Sequence, residues 1–273
     1  MSTRIADRFQ SLCASGRRGL IPYIAAGDPH PDATVGLLHA LVRGGADLVE
    51  LGIPFSDPMA DGPVIQRAAQ RAIEQGTSLV GTLEMVRNFR LDDRTTPLIL
   101  MGYANPIERM GVDNFAREAA RSGVDGVLVV DYPPEECAEF VQLLTGYGMN
   151  TIFLVAPTTR PERIDLLASI ASGYVYYVSL KGTTGAAHID LDDIAARLPL
   201  IRQRLTLPIG VGFGISDPES AAAVARLADA VVIGSRIITE LEAHPGPRGA
   251  EAVEKLLRRF RTAIDAAQEQ ETP

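Results

Sequence analysis

The sequence has little of what marks secreted, metal-binding or membrane-spanning proteins. Its two cysteines, Cys13 and Cys137, are far apart and lack metal-ligand spacing, so we expect both to stay reduced in a cytoplasmic protein. The four histidines form no His-x-x-x-His pattern, and we expect no metal site. The N-terminus lacks the apolar core of a signal peptide, and no apolar run approaches the ~20 residues of a membrane span.

Basic charge is also scarce. The chain has 26 Lys and Arg against 34 Asp and Glu, which gives a formal net charge of −8. This balance disfavours a nucleic-acid or membrane-surface partner. Arg258, Arg259 and Arg261 lie among acidic residues on a helical pattern, which is typical of a solvated helix face. At 46% hydrophobic residues, the chain can bury a large core.

Short apolar runs alternate with helical patterns along the chain. Residues 3–15 predict an amphipathic helix, and eight runs of strand length follow at 20–26, 48–53, 98–101, 126–130, 151–155, 174–179, 208–212 and 230–233. Repeated strand–helix alternation indicates a parallel sheet. Eight such repeats in a chain of 273 residues favour a closed barrel. We therefore predict one α/β domain over residues 1–273, a (β/α)8 TIM barrel with an extra N-terminal helix and long loops after strands 2 and 6.

Two further motifs predict where helices begin. Residues 159–162 (Thr-Arg-Pro-Glu) and residues 216–219 (Ser-Asp-Pro-Glu) both match the capping box. In that motif Ser or Thr accepts from a backbone N–H and Glu reaches back. The expected N-caps are therefore Thr159 and Ser216.

Residues 48–63 carry the first candidate chemistry. The run 48–53 is apolar except for Glu50, and burying a carboxylate without a partner costs several kcal/mol or more. With a period of two, Leu48 and Glu50 share one face, which in a barrel can point into the mouth at the carboxyl end. Asp61, on the proline-rich loop that follows, could bring a second carboxylate there. The alternative is a turn-capping glutamate followed by solvated loop aspartates.

The last two runs end in glycine-rich turns, Gly210–Gly214 and Gly234-Ser235. Phosphate-binding barrels hold the anion at the loops after strands 7 and 8, where backbone N–H groups and a helix N-terminus suffice without Lys or Arg. Ser235 could add its hydroxyl, and Gly185 another N–H. The alternative is that these glycines only make tight turns. Residues 181–184 lack the spacing of a nucleotide-binding loop.

These stretches, together with residues 22–29, 101–106 and 131–134, resemble the tryptophan synthase alpha subunit family over essentially the whole chain. The resemblance implies a barrel lyase that cleaves indole-3-glycerol phosphate to indole and D-glyceraldehyde 3-phosphate, in the last steps of L-tryptophan biosynthesis. It implies no cofactor on this chain. It also implies a partner, the pyridoxal-phosphate beta subunit, in an alpha2beta2 heterotetramer. Asp57 and Asn105 match positions at that interface, although loop capping would explain both.

The resemblance assigns roles to individual residues. Glu50 matches the acid–base that protonates indole C3, and Asp61 the carboxylate that holds the indole N–H. Substrate-binding positions are matched by Tyr23, Ile65, Met101, Leu128, Tyr176 and Thr184. Phosphate-binding positions are matched by Gly185, Gly212, Phe213, Gly214, Gly234 and Ser235. Tyr23 stands where many relatives have Phe, and residues 180–183 replace an Arg-containing sequence in the lid.

The chemistry of such a cleavage agrees with these roles. Protonating an indole carbon near neutral pH requires a carboxyl group whose pKa lies above the ordinary value of about 4.3. The apolar strand end around Glu50 would supply this by desolvation, whereas Asp61 on a polar loop is expected to stay charged. Two other functions stay open: a ligand-binding allosteric activator of the beta subunit, and a stand-alone lyase that releases indole.

Overall fold

A computed structural model describes residues 3–179 and 189–269 of the chain. Its strands are β1 (Gly19–Ala25), β2 (Val49–Gly52), β3 (Leu98–Gly102), β4 (Gly126–Val129), β5 (Asn150–Thr151), β6 (Phe153–Val155), β7 (Val175–Val178), β8 (Ile209–Gly212) and β9 (Ala230–Ile233). Its helices are α1 (Arg4–Ala14), α2 (Thr34–Arg43), α3 (Pro63–Glu74), α4 (Leu79–Asp92), α5 (Ala104–Met110), α6 (Val112–Ser122), α7 (Ala138–Gly146), α8 (Pro161–Ile170), α9 (Leu191–Arg202), α10 (Pro218–Ala225), α11 (Ser235–Ala243) and α12 (Arg248–Glu269).

All neighbouring strands pair in parallel, in the order β5-β4-β3-β2-β1-β9-β8-β7-β6. The two ends of this order, β5 and β6, are halves of the fifth predicted strand. Between them stands Ile152, whose N–H donates to the Val127 carbonyl at 3.0 Å. The sheet therefore closes on itself through one residue, and the predicted barrel is confirmed.

The interior of the barrel follows the period of two. Leu48 and the other inward side chains form a cluster with Ile99, Leu128, Ile152 and Tyr174, whereas Val49 and Leu51 pack outside against the helices. The strand alternation predicted for residues 48–52 is therefore present. Glu50, at only 1% exposure, lies on the inward face of β2.

Helix α1, the predicted extra N-terminal helix, closes the amino end of the barrel. Its buried side chains, Ile5, Phe9 and Leu12, recur with helical spacing and belong to the interior cluster. The rings of Phe9 and Tyr174 are 5.8 Å apart. Each side chain of this kind contributes about 1.5–3 kcal/mol when fully buried, so the amino end is filled by core packing.

Three aspartates fix the amino ends of the strands in a repeated way. Each precedes one strand and accepts from the N–H of a residue on the neighbouring strand: Asp47 from Leu20 at 3.0 Å, Asp125 from Leu98 at 2.8 Å and Asp229 from Ile209 at 2.9 Å. Each also binds an arginine, namely Arg261, Arg90 and Arg202 respectively. Rigidity at this end leaves the carboxyl end available for chemistry.

Both predicted capping boxes are wrong in their N-cap residue. The cap of α8 is Arg160, and the Thr159 hydroxyl instead accepts from the Ala156 N–H at 2.9 Å. The cap of α10 is Asp217, which forms a capping box with Ser220. The reason is proline: Pro161 and Pro218 take the first helical position, which their fixed φ favours, and so place the cap directly before them.

The long connection after β2 is present as predicted. Residues 53–62 form its loop, and α3 and α4 follow before β3. The other predicted long loop lies between β7 and α9, and most of it, with Thr184 and Gly185, lies outside the described residues. Among the helices of residues 3–179 and 189–269, none combines the length and apolar character needed to cross a membrane.

Candidate active site

A cavity of about 310 Å³ opens among the carboxyl ends of β1, β2, β3, β7, β8 and β9. We call it the carboxyl-end cavity. Its described lining consists of Tyr23, Glu50, Asp61, Gly62, Ile65, Met101, Tyr176, Phe213, Gly214, Ile215, Ser216, Val232, Gly234, Ser235, Arg236 and Thr239. The lining brings together two carboxyl groups, an apolar wall and the glycine turns after the last two strands.

Glu50 is a buried carboxyl group with one described hydrogen-bond partner. The hydroxyl of Tyr174, itself fully buried, donates to Glu50 Oε1. Burial raises the pKa of Glu50 from its ordinary value of 4.5 to about 7, and the Tyr174 hydrogen bond limits the rise because it favours the charged form. Near neutral pH this carboxyl is therefore poised between its acid and base forms, as an acid–base catalyst requires.

Asp61 is held in place by Tyr103, the N-cap residue of α5. The Tyr103 hydroxyl donates to Asp61 Oδ2 at 3.0 Å and accepts from the Ala60 N–H at 3.1 Å. Gln66 on α3 donates its amide to the Asp61 carbonyl at 2.8 Å. Burial raises the pKa of Asp61 and the Tyr103 hydrogen bond lowers it. Asp61 lines the carboxyl-end cavity and is partly buried, so the alternative of a solvated loop aspartate does not hold.

Two tyrosine hydroxyls fit against glycines of neighbouring strands. A Cβ on Gly52 would lie 2.1 Å from the Tyr23 hydroxyl, and one on Gly212 would lie 2.0 Å from the Tyr176 hydroxyl. Burial and then the charges of Glu50 and Asp61 raise the pKa of Tyr176, and both charges also act on Tyr23. The two tyrosines are therefore neutral polar groups that face both carboxyls.

The glycine turn after β8 has an unusual backbone. Phe213 and Gly214 have φ values of 78° and 75°, and a residue with a side chain adopts such a φ at a cost of about 1–2 kcal/mol. Ser179, at the end of β7, donates to the carbonyls of Gly212 at 2.8 Å and Phe213 at 3.0 Å. Strain held by hydrogen bonds in this way is typical of functional loops.

The turn after β9 leads directly into α11. Gly234 is the N-cap and Ser235 the first residue of this helix. The first backbone N–H groups of a helix have no partner within it, and the helix dipole favours an anion at this position. Ser216, after β8, lines the same end of the carboxyl-end cavity.

Most of the predicted site residues line this one cavity. Leu128 does not: it is fully buried in the barrel interior beneath it. Gly212 is buried next to Tyr176, and its turn rather than its own atoms borders the cavity. Asp57 and Asn105 are exposed. Thr184 and Gly185 lie outside the described residues, so their predicted contacts stay predictions.

Sequence reasoning missed three side chains. Tyr174 was assigned to a strand without a role, although its spacing of two from Tyr176 indicates the same inward face. Tyr103 lies in a motif of the resemblance, but only the fold brings it to Asp61. Arg236 was not considered, because the phosphate end was expected to need no basic side chain.

No group of three or more His, Cys, Asp or Glu side chains that could hold a metal ion occurs in the described parts of the chain. Cys13 and Cys137 are both free thiols. Among the described residues that line the carboxyl-end cavity, the charged ones are Glu50, Asp61 and Arg236.

The fold and the cavity define a class: an α/β-barrel enzyme with a buried titratable carboxyl group and a glycine-rich end. Residues 9–268 match the family described as Tryptophan synthase alpha chain. The Tryptophan synthase alpha chain of Cupriavidus taiwanensis is 58% identical over 264 residues, which cover 97% of this chain and 100% of that protein. The chain belongs to this family.

Solved structures agree with this assignment. The crystal structure of tryptophan synthase subunit alpha from Legionella pneumophila str. Paris aligns with a TM-score of 0.90 and 44% identity, covering 97% of this chain and 100% of that one. The crystal structure of tryptophan synthase from M. tuberculosis in its aminoacrylate-bound form aligns with a TM-score of 0.86 and 31% identity, covering 96% and 100%.

The chain is therefore a lyase of tryptophan biosynthesis, and it catalyses the cleavage of indole-3-glycerol phosphate as an alpha subunit. The resemblance identified in the sequence and the enzyme class it implied are confirmed. The two alternative functions, a mainly allosteric subunit and a stand-alone lyase, are not favoured by these matches.

Proposed function

We propose that Glu50 and Asp61 carry out the cleavage of indole-3-glycerol phosphate, with the substrate's indole ring between Tyr23, Ile65, Met101 and Tyr176. The observation that carries this assignment is the buried carboxyl of Glu50, whose pKa is raised to about 7. A catalytic acid works best when its pKa lies near the working pH. Leu128 supports the ring from the layer below, and Thr184 is a further substrate-binding residue in this proposal.

In this mechanism Glu50 donates a proton to indole C3. The ring becomes an indolenine cation, and Asp61 stabilises it by accepting a hydrogen bond from the ring N–H. The carboxylate left on Glu50 then accepts the proton of the adjacent glycerol hydroxyl. As the O–H electron pair forms the aldehyde carbonyl, the carbon–carbon bond breaks and its electron pair returns to the indole ring.

The phosphate of the substrate binds at the glycine end. Backbone N–H groups of the turns at Gly212, Phe213, Gly214 and Gly234, with that of Gly185, and the hydroxyl of Ser235 are its ligands in this proposal. Anchoring a group that does not react fixes the reacting carbon relative to Glu50, and an oriented substrate needs less activation entropy.

The test is indole release from indole-3-glycerol phosphate by variants that keep the shape of each side chain. We expect Glu50→Gln and Asp61→Asn each to lower kcat by about 10²–10⁴-fold, with unchanged far-UV circular dichroism. Matched controls are Glu84→Gln on α4 and Asp113→Asn on α6, which are exposed and should keep wild-type turnover. Turnover near that of the wild type in either site variant would remove that residue from the mechanism.

We further propose that the chain works with a pyridoxal-phosphate beta subunit in an alpha2beta2 heterotetramer and needs no cofactor of its own. The exposed side chains of Asp57 and Asn105, with Met59 at 80% exposure, supply a surface near the site for that partner. Indole formation measured with and without an added beta subunit tests this. No change on mixing, together with separate elution in gel filtration, would contradict the partnership.

The remaining assignments concern the chain as a whole. We propose that residues 1–273 act as one domain, because β1–β9 form one continuous sheet. The proposed location is the cytoplasm, where a biosynthetic subunit with two free cysteines, Cys13 and Cys137, would stay reduced. Limited proteolysis and cell fractionation test these two assignments.

A further inference from the structure

A basic residue lines the carboxyl-end cavity at its glycine end. Arg236 follows Ser235 directly and lines the cavity together with Ser216 and Thr239. Among the lining residues that the structure describes, it is the one basic side chain, whereas Glu50 and Asp61 are acidic. Among these described residues, the one with favourable charge for an anionic ligand therefore lies at the α11 end.

Arg236 is already paired with an acid of its own helix. Its Nη2 lies 2.7 Å from Glu240 Oε2, and the two side chains are 28% and 16% exposed. Glu240 Oε1 also lies 3.3 Å from His244 Nδ1. The guanidinium carries more N–H donors than this contact uses, so a phosphate can reach it, but the Glu240 carboxylate already draws on the same positive charge.

The surface beside Arg236 has the same sign of charge. A second groove, of about 290 Å³, shares Arg236 with the cavity and is lined also by Arg248, Lys255 and Arg259, against the acids Glu240 and Glu251. This local excess of basic groups contrasts with the net charge of −8 for the chain. A positive patch at the mouth of a site attracts anionic substrates.

We propose that Arg236 binds the phosphate group of the substrate, and that Glu240 competes with that phosphate for the guanidinium. The proposal rests on the proposed function, because it takes Ser235 and the glycine turns as the phosphate end. The phosphate does not react, so its contact with Arg236 is the same in the ground and transition states. Loss of such a contact raises KM and leaves kcat unchanged.

The experiment is steady-state kinetics of indole release by Arg236→Ala, Arg236→Lys and Glu240→Gln. We expect Arg236→Ala to raise KM about tenfold to a hundredfold, as for a lost hydrogen bond to a charged group, with kcat within twofold. Arg236→Lys should recover part of the affinity, and Glu240→Gln should lower KM. The KM of the wild type should rise with ionic strength more steeply than that of Arg236→Ala.

Inhibition by glycerol 3-phosphate and by indole, which correspond to the two halves of the substrate, distinguishes a lost phosphate contact from a general loss of folding. We expect Arg236→Ala to raise the Ki of glycerol 3-phosphate by the same factor by which it raises KM. The Ki of indole should stay unchanged. Unchanged KM and unchanged glycerol 3-phosphate inhibition would overturn the proposal and leave Arg236 as a helix-surface ion pair. A higher KM for Glu240→Gln would overturn the competition. If the wild type released no indole, the proposed function would fail, and calorimetric titration with glycerol 3-phosphate would still decide the role of Arg236.

Discussion

Replacing Glu50 with glutamine removes a titrating group from the barrel interior while keeping its shape. The glutamine side-chain oxygen can still accept from the Tyr174 hydroxyl that binds Glu50 Oε1. What changes is the response to pH. In the folded wild type the pKa of Glu50 is raised to about 7 by burial, from an ordinary value of 4.5 that the unfolded chain recovers.

The sign of the effect follows from this difference. Because the folded state binds the Glu50 proton more tightly, this group's contribution to stability is complete below pH 4.5 and is lost as pH rises through 7. One pKa unit corresponds to about 1.4 kcal/mol. The wild type should therefore lose about 3 kcal/mol of unfolding free energy from this group between pH 5 and pH 8. Glutamine does not titrate and loses none.

Urea denaturation at pH 5, 6, 7 and 8 measures this contribution. The unfolding free energy of Glu50→Gln minus that of the wild type should increase by about 3 kcal/mol across the series. All other groups cancel in that difference, provided the denaturant slopes agree. The exposed control Glu84→Gln should stay within about 0.5 kcal/mol of the wild type at every pH. A flat difference for Glu50→Gln would refute the buried, proton-holding carboxyl and the acid role built on it.

Two further predictions concern neighbours of the site and the opposite end of the barrel. Tyr174→Phe removes the hydrogen bond that lowers the pKa of Glu50, so the alkaline limb of the pH dependence of kcat/KM should move to higher pH. Tyr177→Phe, whose hydroxyl donates to Asp193 instead, should leave that limb in place. Asp125→Ala leaves Arg90, at 9% exposure, without its buried partner and should cost about 3–5 kcal/mol of unfolding free energy in urea. Asp229→Ala, whose partner Arg202 is more exposed, should cost about 1–2 kcal/mol of unfolding free energy. Equal losses in Asp125→Ala and Asp229→Ala would contradict the role of burial.

Much of the fold could be predicted because local patterns and barrel topology agree. The strand predicted over residues 48–53 from its apolar residues forms at 49–52, and the inward side chain of Glu50 was predicted from a period of two. The N-caps of α8 and α10 were missed because the capping motif was weighed without the proline that fixes the first helical position. The hydrogen bond that holds Asp61 was not predicted, because nothing in residues 53–62 indicates that Tyr103, which follows β3, binds it.

The sequence by itself determined the barrel, the position of Glu50 on its inner face and the family, because strand period, repeat number and long motifs are properties of the chain in order. Only the tertiary structure decided which groups meet. The partnership of Tyr174 with Glu50 and the hydrogen bond from Tyr103 to Asp61 join residues far apart in sequence. Burial sets the pKa of Glu50, and burial is a property of the closed barrel that no single stretch of the chain contains.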